Sequence, residues 1–163
     1  MDRIDIFKAF FTQDSKYYSG KLEKFEHGEK YSFNFWAGFF GLTWFIYRKM
    51  NIQAVVIFFI LFVLTLISAV IFQLLNPYDK SNGLYTMLII WVLSFVILGF
   101  IGNNLYLKKS IQAVNNFINE NGLENIDNSM INKIRKIGGT SMMNALIIVG
   151  VMILIQIIIK IIK

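Results

Sequence analysis

The chain contains no cysteine, and only one proline and one histidine occur among its 163 residues. Without cysteine there is no disulfide framework, no thiolate metal site and no cysteine nucleophile. One histidine cannot form a metal site alone, so we expect His27 to be an exposed side chain. The sequence also has no glycine-rich phosphate loop, paired-histidine zinc motif or nucleophile elbow. These absences predict a protein that is not an enzyme and that has no metal or cofactor.

Charged residues are missing from three long apolar runs, at residues 52–75, 84–107 and 142–159. A helix needs about 20 apolar residues to cross a bilayer, with a range of roughly 17–25, and each run is long enough. Ionisable residues inside a membrane usually mark ion pathways, proton relays or catalysis. Their absence argues against a proton-coupled transporter and against an intramembrane protease. We therefore predict an all-α membrane protein with three transmembrane helices.

The basic residues lie beside these runs, and the net charge of the chain is +6. One basic pair precedes the first run and another follows the second, namely Arg48-Lys49 and Lys108-Lys109. The loop that joins these two runs holds only Lys80. Because basic residues near spans stay in the cytoplasm, we predict a cytoplasmic N-terminus, and the third run would end outside or turn back as a half-span. Anionic membrane lipids, rather than nucleic acid, are then the expected partners of the basic residues.

An aromatic segment, residues 33–47, separates the polar N-terminus from the first run. As a helix it would rise only about 22 Å, which is less than the roughly 30 Å hydrocarbon core of a bilayer. Glycine weakens a continuous helix, so Gly38 and Gly41 favour a short interfacial or re-entrant helix with a turn near Gly41. Small residues also let neighbouring helices approach closely. The predicted helix-packing positions are Ala37, Gly38, Gly41, Gly99, Gly102 and Asn103.

Two polar stretches, residues 1–32 and 110–137, carry apolar residues at helical spacing. We predict that residues 1–32 form a cytoplasmic helical segment, distinct from a membrane domain of residues 33–163. This segment either caps the protein's own membrane part or lies on the membrane and binds a partner. Residues 110–137 predict two short amphipathic cytoplasmic helices. The apolar stripes are Ile4, Phe7, Phe10 and Phe11; Tyr18, Leu22 and Phe25; Leu107, Ile111, Val114, Phe117 and Ile118; and Leu123, Ile126, Met130, Ile134 and Ile137.

A basic and aromatic collar ends the aromatic segment, and the predicted topology adds the second basic pair to it. Its members are Tyr47, Arg48, Lys49, Lys108 and Lys109. Long basic side chains snorkel and aromatic rings prefer headgroup depth, so the first interpretation of the collar is a membrane anchor. The second interpretation is a contact with an anionic lipid headgroup or with a carboxylate of a partner.

The stretch Phe33–Met50 resembles the hallmark of domain-of-unknown-function family 2628, a family of small bacterial membrane proteins. That hallmark reads F-N-W-A-A-F-F-F-G-P-x-W-x-x-Y-R-K-M. The positions that agree with it are Phe33, Asn34, Ala37, Phe39, Phe40, Gly41, Trp44, Tyr47, Arg48, Lys49 and Met50. The tryptophan at Trp36 is shifted by one position, and Leu42 stands where proline is common. The resemblance implies a multi-pass protein of the bacterial inner membrane, and it implies no activity.

Taken together, these patterns predict an accessory or scaffold subunit of a membrane complex, whose partner is another membrane protein or a second copy of the chain. The alternative is a component that handles lipids or small hydrophobic molecules, in a flippase-like or transport role, with the collar as its cytoplasmic-side element. A homo-oligomeric channel ranks third, because the spans offer few polar faces to line a pore.

Overall fold

The computed structural model describes residues 2–75, 82–123 and 126–162, which form helices and turns without a strand. A short 3-10 turn, Thr12–Asp14, joins the first two α-helices. The helices are α1 Arg3–Phe11, α2 Ser15–Glu26, α3 Phe35–Phe40, α4 Leu42–Tyr47, α5 Asn51–Leu75, α6 Asn82–Asn121, α7 Asn128–Ile137 and α8 Met142–Ile162.

Three of these helices, α5, α6 and α8, are long and apolar enough to cross a membrane. The predicted class, an all-α protein with three membrane-spanning helices, is therefore confirmed. The 25 residues of α5 and the 21 residues of α8 rise about 37 Å and 31 Å, enough for a hydrocarbon core of about 30 Å. The predicted turn around Pro77 and Lys80 lies outside the described residues.

Helix α6 is one continuous helix of 40 residues, about 60 Å long. This differs from the prediction of a span that ends at residue 107 and a separate cytoplasmic helix that begins at residue 110. The change from apolar to polar composition does not break the helix, because Leu107, Val114 and Phe117 continue one buried stripe across it. Half of α6 therefore extends beyond the length that a bilayer covers.

The second predicted cytoplasmic helix is present as α7. Its N-terminus is capped by Asp127, whose carboxylate accepts a hydrogen bond from the Met130 backbone at 2.8 Å. This bond holds the pKa of the Asp127 carboxyl below its usual value. The helix ends at Gly138, where a side chain would collide with the Phe10 backbone, and the next amide donates to the Phe10 carbonyl at 2.7 Å. The C-terminal end of α7 is thereby fastened to α1.

The polar N-terminal segment packs onto α6 and α7 and shares one apolar core with them. Phe7, Phe10, Phe11 and Tyr18 are buried in that core. Burial of each large apolar side chain contributes about 1.5–3 kcal/mol, so this core stabilises the fold outside the spans. Three residues of the predicted stripes are exposed instead of buried in this core, namely Ile4, Leu123 and Ile137.

The core continues past residue 32, the predicted boundary between two domains. Ala37, Trp44 and Phe45 of the aromatic segment belong to the same cluster as the N-terminal aromatic residues. The segment that leads into the membrane helices is therefore packed together with α1 and α2, which we call the cap. The predicted boundary at residue 32 does not separate two cores.

Candidate functional site

Helices α3 and α4 form a short hairpin, in which α3 packs on α6 and α4 packs on α5 and α8. The side chain of Asn34 starts α3 by accepting a hydrogen bond from the Ala37 amide at 3.0 Å. The two helices meet at Gly41, whose φ of +51° lies in the left-handed region that favours glycine. The predicted turn near Gly41 thus forms although Leu42, rather than proline, follows it.

The hairpin runs along α6 and back again. At its start, the Asn34 amide donates to the Gly99 carbonyl at 2.8 Å. Farther along α3, Gly38 packs on the backbone of Phe95, closer to the N-terminus of α6. Helix α4 then returns, and the Trp44 ring lies 6.2 Å from the Tyr106 ring, between ring centroids. The hairpin consequently begins and ends at the same end of the apolar part of α6.

Among the predicted packing residues, Ala37, Gly38 and Gly102 lie where α3 and α6 touch, and Gly99 faces Phe33 just before α3. A Cβ atom added at Gly102 would lie 2.5 Å from the Ala37 Cβ, and one at Gly99 would collide with the Phe33 ring. Gly38 is equally close to Phe95. These positions have no room for a larger side chain unless the backbone moves, so the glycines set how closely the hairpin approaches α6.

Asn103 is fully buried beneath the hairpin and makes a polar network there. Its carbonyl oxygen accepts from the Asn34 side-chain amide at 2.8 Å. Its own amide donates to Ser32 Oγ at 2.9 Å and to Tyr17 Oη at 3.1 Å. The adjacent Asn104 donates to the Lys30 carbonyl at 2.9 Å. One helix turn of α6 therefore holds α2, the entry to the hairpin and the hairpin itself.

Arg48 lies in an aromatic cage at the end of α4 and is 6% exposed. Its Nη2 donates to the Asp14 carboxylate at 2.7 Å. The guanidinium carbon lies 4.8–5.8 Å from the centroids of four aromatic rings, which belong to Tyr18, Trp44, Tyr47 and Tyr106. Burial raises the pKa of Tyr18 well above its usual value, so this phenol stays neutral. The cage therefore holds one cation that a single carboxylate balances.

Two of the three collar lysines, Lys49 and Lys109, bind backbone carbonyls. Lys109 Nζ donates to the carbonyls of Lys49 at 2.7 Å and Arg48 at 3.2 Å, and so caps the C-terminus of α4. Lys49 Nζ donates to the Lys136 carbonyl at 2.7 Å, which fastens the same point to α7. Burial lowers the pKa of Lys49.

The structure thus brings Tyr47, Arg48, Lys49 and Lys109 together, whereas Lys108 is exposed and takes no part in these contacts. The anchor interpretation was wrong for Arg48, because its charge is buried against a carboxylate and does not reach outward. Contact of the collar with an anionic headgroup stays a prediction. The sequence patterns missed Asp14 and Tyr17, since their partners lie 34 and 86 residues away along the chain.

An apolar cavity of about 940 Å³ lies between α4, α5, α6 and α8, and we call it the span cleft. Phe58 and Leu61 of α5, Trp91 of α6 and Val151 of α8 are among the residues that line it. The cleft exists because α8 makes its main contacts with α4 rather than with α5 or α6.

A family model for proteins of unknown function, DUF2628, matches residues 11–111, which is more than half of the chain. The chain belongs to the DUF2628 family. The matched range includes both partners of the Asn34–Asn103 and Asp14–Arg48 pairs. Neither the curated proteins nor the solved structures contain a match to the chain. Within the described parts of this DUF2628 member, no three His, Cys, Asp or Glu residues lie close enough to hold a metal ion.

Replacement of Asn103 by leucine should lower the free energy of unfolding by about 2–4 kcal/mol. The variant keeps a similar volume but leaves the buried Asn34 amide and the half-buried Ser32 hydroxyl without their partner, at a cost of about 1–3 kcal/mol per buried group. Asn116→Leu on the exposed face of the same helix is the control and should change stability by about 0.5 kcal/mol or less. Guanidinium denaturation in detergent micelles measures both; equal effects would contradict the network.

Asp14→Asn should destabilise the protein by about 1–3 kcal/mol, because it leaves the buried Arg48 charge without a counter-charge. The matched control is Glu26→Gln, which breaks the exposed Arg3–Glu26 pair at 3.3 Å and should cost about 1 kcal/mol or less. The same denaturation experiment compares them. If Asp14→Asn proved as mild as the control, the ion pair would not be holding the cap to the collar.

Proposed function

We propose that this DUF2628 protein is a non-enzymatic subunit of a membrane complex, which binds another membrane protein or a second copy of itself. The observation that carries the proposal is the unpacked state of α5 and α8. In α5, Ala54 and Ile57 are buried, whereas most of the other described side chains are exposed. Association of membrane helices relies on close packing, and these two faces are free for it within the described chain.

The polar groups near the membrane helices support a structural role. Arg48, Lys49 and Lys109 bind a carboxylate or carbonyls of the chain itself. Asn103 likewise binds groups of α2 and the hairpin. Because these groups bind other parts of the same chain and hold its helices in place, they favour a structural role over the binding of a substrate.

Helix α6 gives that unit a scaffold's geometry. It continues from the membrane-spanning part into the core of α1, α2 and α7 without a break. A partner bound at the spans and one bound at the cap would be held at a fixed separation along a helix of about 60 Å.

We also place the cap in the cytoplasm of a bacterial cell and the spans in its inner membrane. The basic pairs Arg48-Lys49 and Lys108-Lys109 favour this orientation. In it, the hairpin is re-entrant: it enters the bilayer from the cytoplasmic side and returns there. The exposed rings of Phe35, Trp36 and Phe40 would then contact lipid.

Photo-crosslinking tests the partner. A photoreactive residue at Val63 of α5 or Val149 of α8, both exposed and outside the span cleft, should give a discrete adduct with another protein or a dimer. The matched controls are Leu61 and Ile148, which line the span cleft on the same two helices, and these should give no protein adduct.

The opposite outcome would be a chain that crosslinks to no protein from Val63 or Val149 and that migrates as a monomer after mild extraction. That result would contradict the subunit proposal. Protein adducts that form only at the control positions would move the interface into the span cleft.

The second candidate function is the handling of lipids or small hydrophobic molecules, in a flippase-like or transport role. The span cleft favours it, because a cavity of about 940 Å³ is large enough for a small hydrophobic ligand. It requires an amphiphile to occupy that cleft.

A further inference from the structure

The span cleft has a polar end and an apolar end. Three of its polar side chains, Thr43, Asn51 and Asn144, come from the first turns of α4, α5 and α8, whereas Thr65 and Ser94 lie within α5 and α6. The starts of α5 and α8 lie near the end of α4, because the Ser141 amide, which precedes α8, donates to the Tyr47 carbonyl at 2.8 Å, and Asn51 follows α4 closely in the chain. Thr43 lies one turn earlier in α4, nearer to Gly41. The cleft therefore carries hydrogen-bonding groups at the collar end of the spans.

Farther from the collar the walls become apolar. Phe58 and Leu61 lie two to three turns into α5, and Val151 lies a similar distance into α8. Thr65 and Ser94 also line the cleft, and the Thr65 hydroxyl donates to the Leu61 carbonyl at 2.8 Å, so it is satisfied within its own helix. This part of the cleft thus favours a hydrocarbon chain.

The charges near the polar end select among amphiphiles. Thr43, Asn51 and Asn144 are neutral, and the neighbouring cations Arg48 and Lys49 already bind Asp14 and a backbone carbonyl. Recognition at this end therefore depends on hydrogen bonds rather than on a headgroup charge. Uncharged glycerol and ester oxygens can accept hydrogen bonds from these hydroxyl and amide groups, and in a lipid they join directly to acyl chains.

We propose that the span cleft binds a membrane glycerolipid, with its glycerol and ester region at Thr43, Asn51 and Asn144 and an acyl chain between Phe58 and Val151. The proposal rests on the second candidate function and is independent of the protein partner at the outer faces of α5 and α8. A transmembrane helix fits less well, because a polar end would meet its apolar side.

The test uses tryptophan substitutions in matched pairs. Val55→Trp and Val151→Trp fill the cleft, whereas Val56→Trp and Val149→Trp place the same bulk on exposed positions that do not line it. Each full-length protein is washed in mild detergent. Retained glycerolipid is then measured by extraction and by native mass spectrometry, with thermal unfolding and particle size as folding controls.

The unsubstituted protein and the two outer variants should retain a stoichiometric glycerolipid. The two cleft variants should retain about tenfold less, which corresponds to a loss of about 1.4 kcal/mol of binding free energy. If a cleft variant does not fold, Asn51→Leu combined with Asn144→Leu replaces it and should also weaken retention.

Rebinding of phosphatidylglycerol and, separately, of phosphatidylcholine from mixed detergent micelles distinguishes recognition by hydrogen bonds from recognition by headgroup charge. Equal rebinding that changes little with salt is the expected result. Rebinding of phosphatidylglycerol alone, lost at high salt, would overturn recognition by hydrogen bonds and assign binding to headgroup charge. Equal lipid content in all four tryptophan variants would show only general annular lipid, and the proposal would fail.

A change of particle size in the cleft variants with unchanged lipid content would instead make the cleft a protein interface. Crosslinks from Val63 and Val149 do not depend on cleft occupancy, so failure of the lipid site and failure of the subunit proposal give different results.

Discussion

The buried amide of Asn103 is the contact on which the arrangement of the other helices depends. It joins α6 to Tyr17 of the cap, to Ser32 and to Asn34 at the entry of the hairpin. A buried amide has to be satisfied, and Gly102 beside it leaves space only for Ala37. The hairpin can therefore occupy one register on α6.

The hairpin, fixed in this register on α6, in turn determines where α5 and α8 begin. Its last turn carries Arg48 in the aromatic cage, and its carbonyls accept bonds from Lys109 and from Ser141 before α8. The starts of α5 and α8 are thus held by contacts with the end of α4 and with the apolar core that it joins. Helix α8 packs chiefly on α4 rather than on α5 or α6, and this leaves both the exposed outer faces and the span cleft. The two proposed functions use these two consequences of the same constraint.

Residue patterns along the chain predict where the helices lie better than they predict which distant residues contact one another. The length of the apolar runs was sufficient to predict the three membrane-spanning helices, and the glycine at Gly41 was sufficient to predict the turn in the hairpin. The continuity of α6 was missed, because a change in polarity at Lys108 resembles a helix boundary although nothing there breaks the backbone. The Asp14–Arg48 pair was also missed, since periodicity indicates which face of a helix is buried but not which distant residue meets it. Arg48 was therefore expected to reach the membrane surface.

In the proposed topology, residues 33–47 form a hairpin that enters the bilayer and returns to the side it came from. Because the chain has no cysteine, single cysteines at Tyr31, Phe40 and Lys49 report separately on its entry, its apex and its exit. Labelling of intact cells and of inverted membrane vesicles with a charged thiol reagent should reach the first and last positions from the cytoplasmic side, while the apex is protected and is quenched by lipid-borne quenchers. Labelling of Tyr31→Cys and Lys49→Cys from opposite sides of the membrane would show that residues 33–47 cross the bilayer, and it would contradict the re-entrant hairpin.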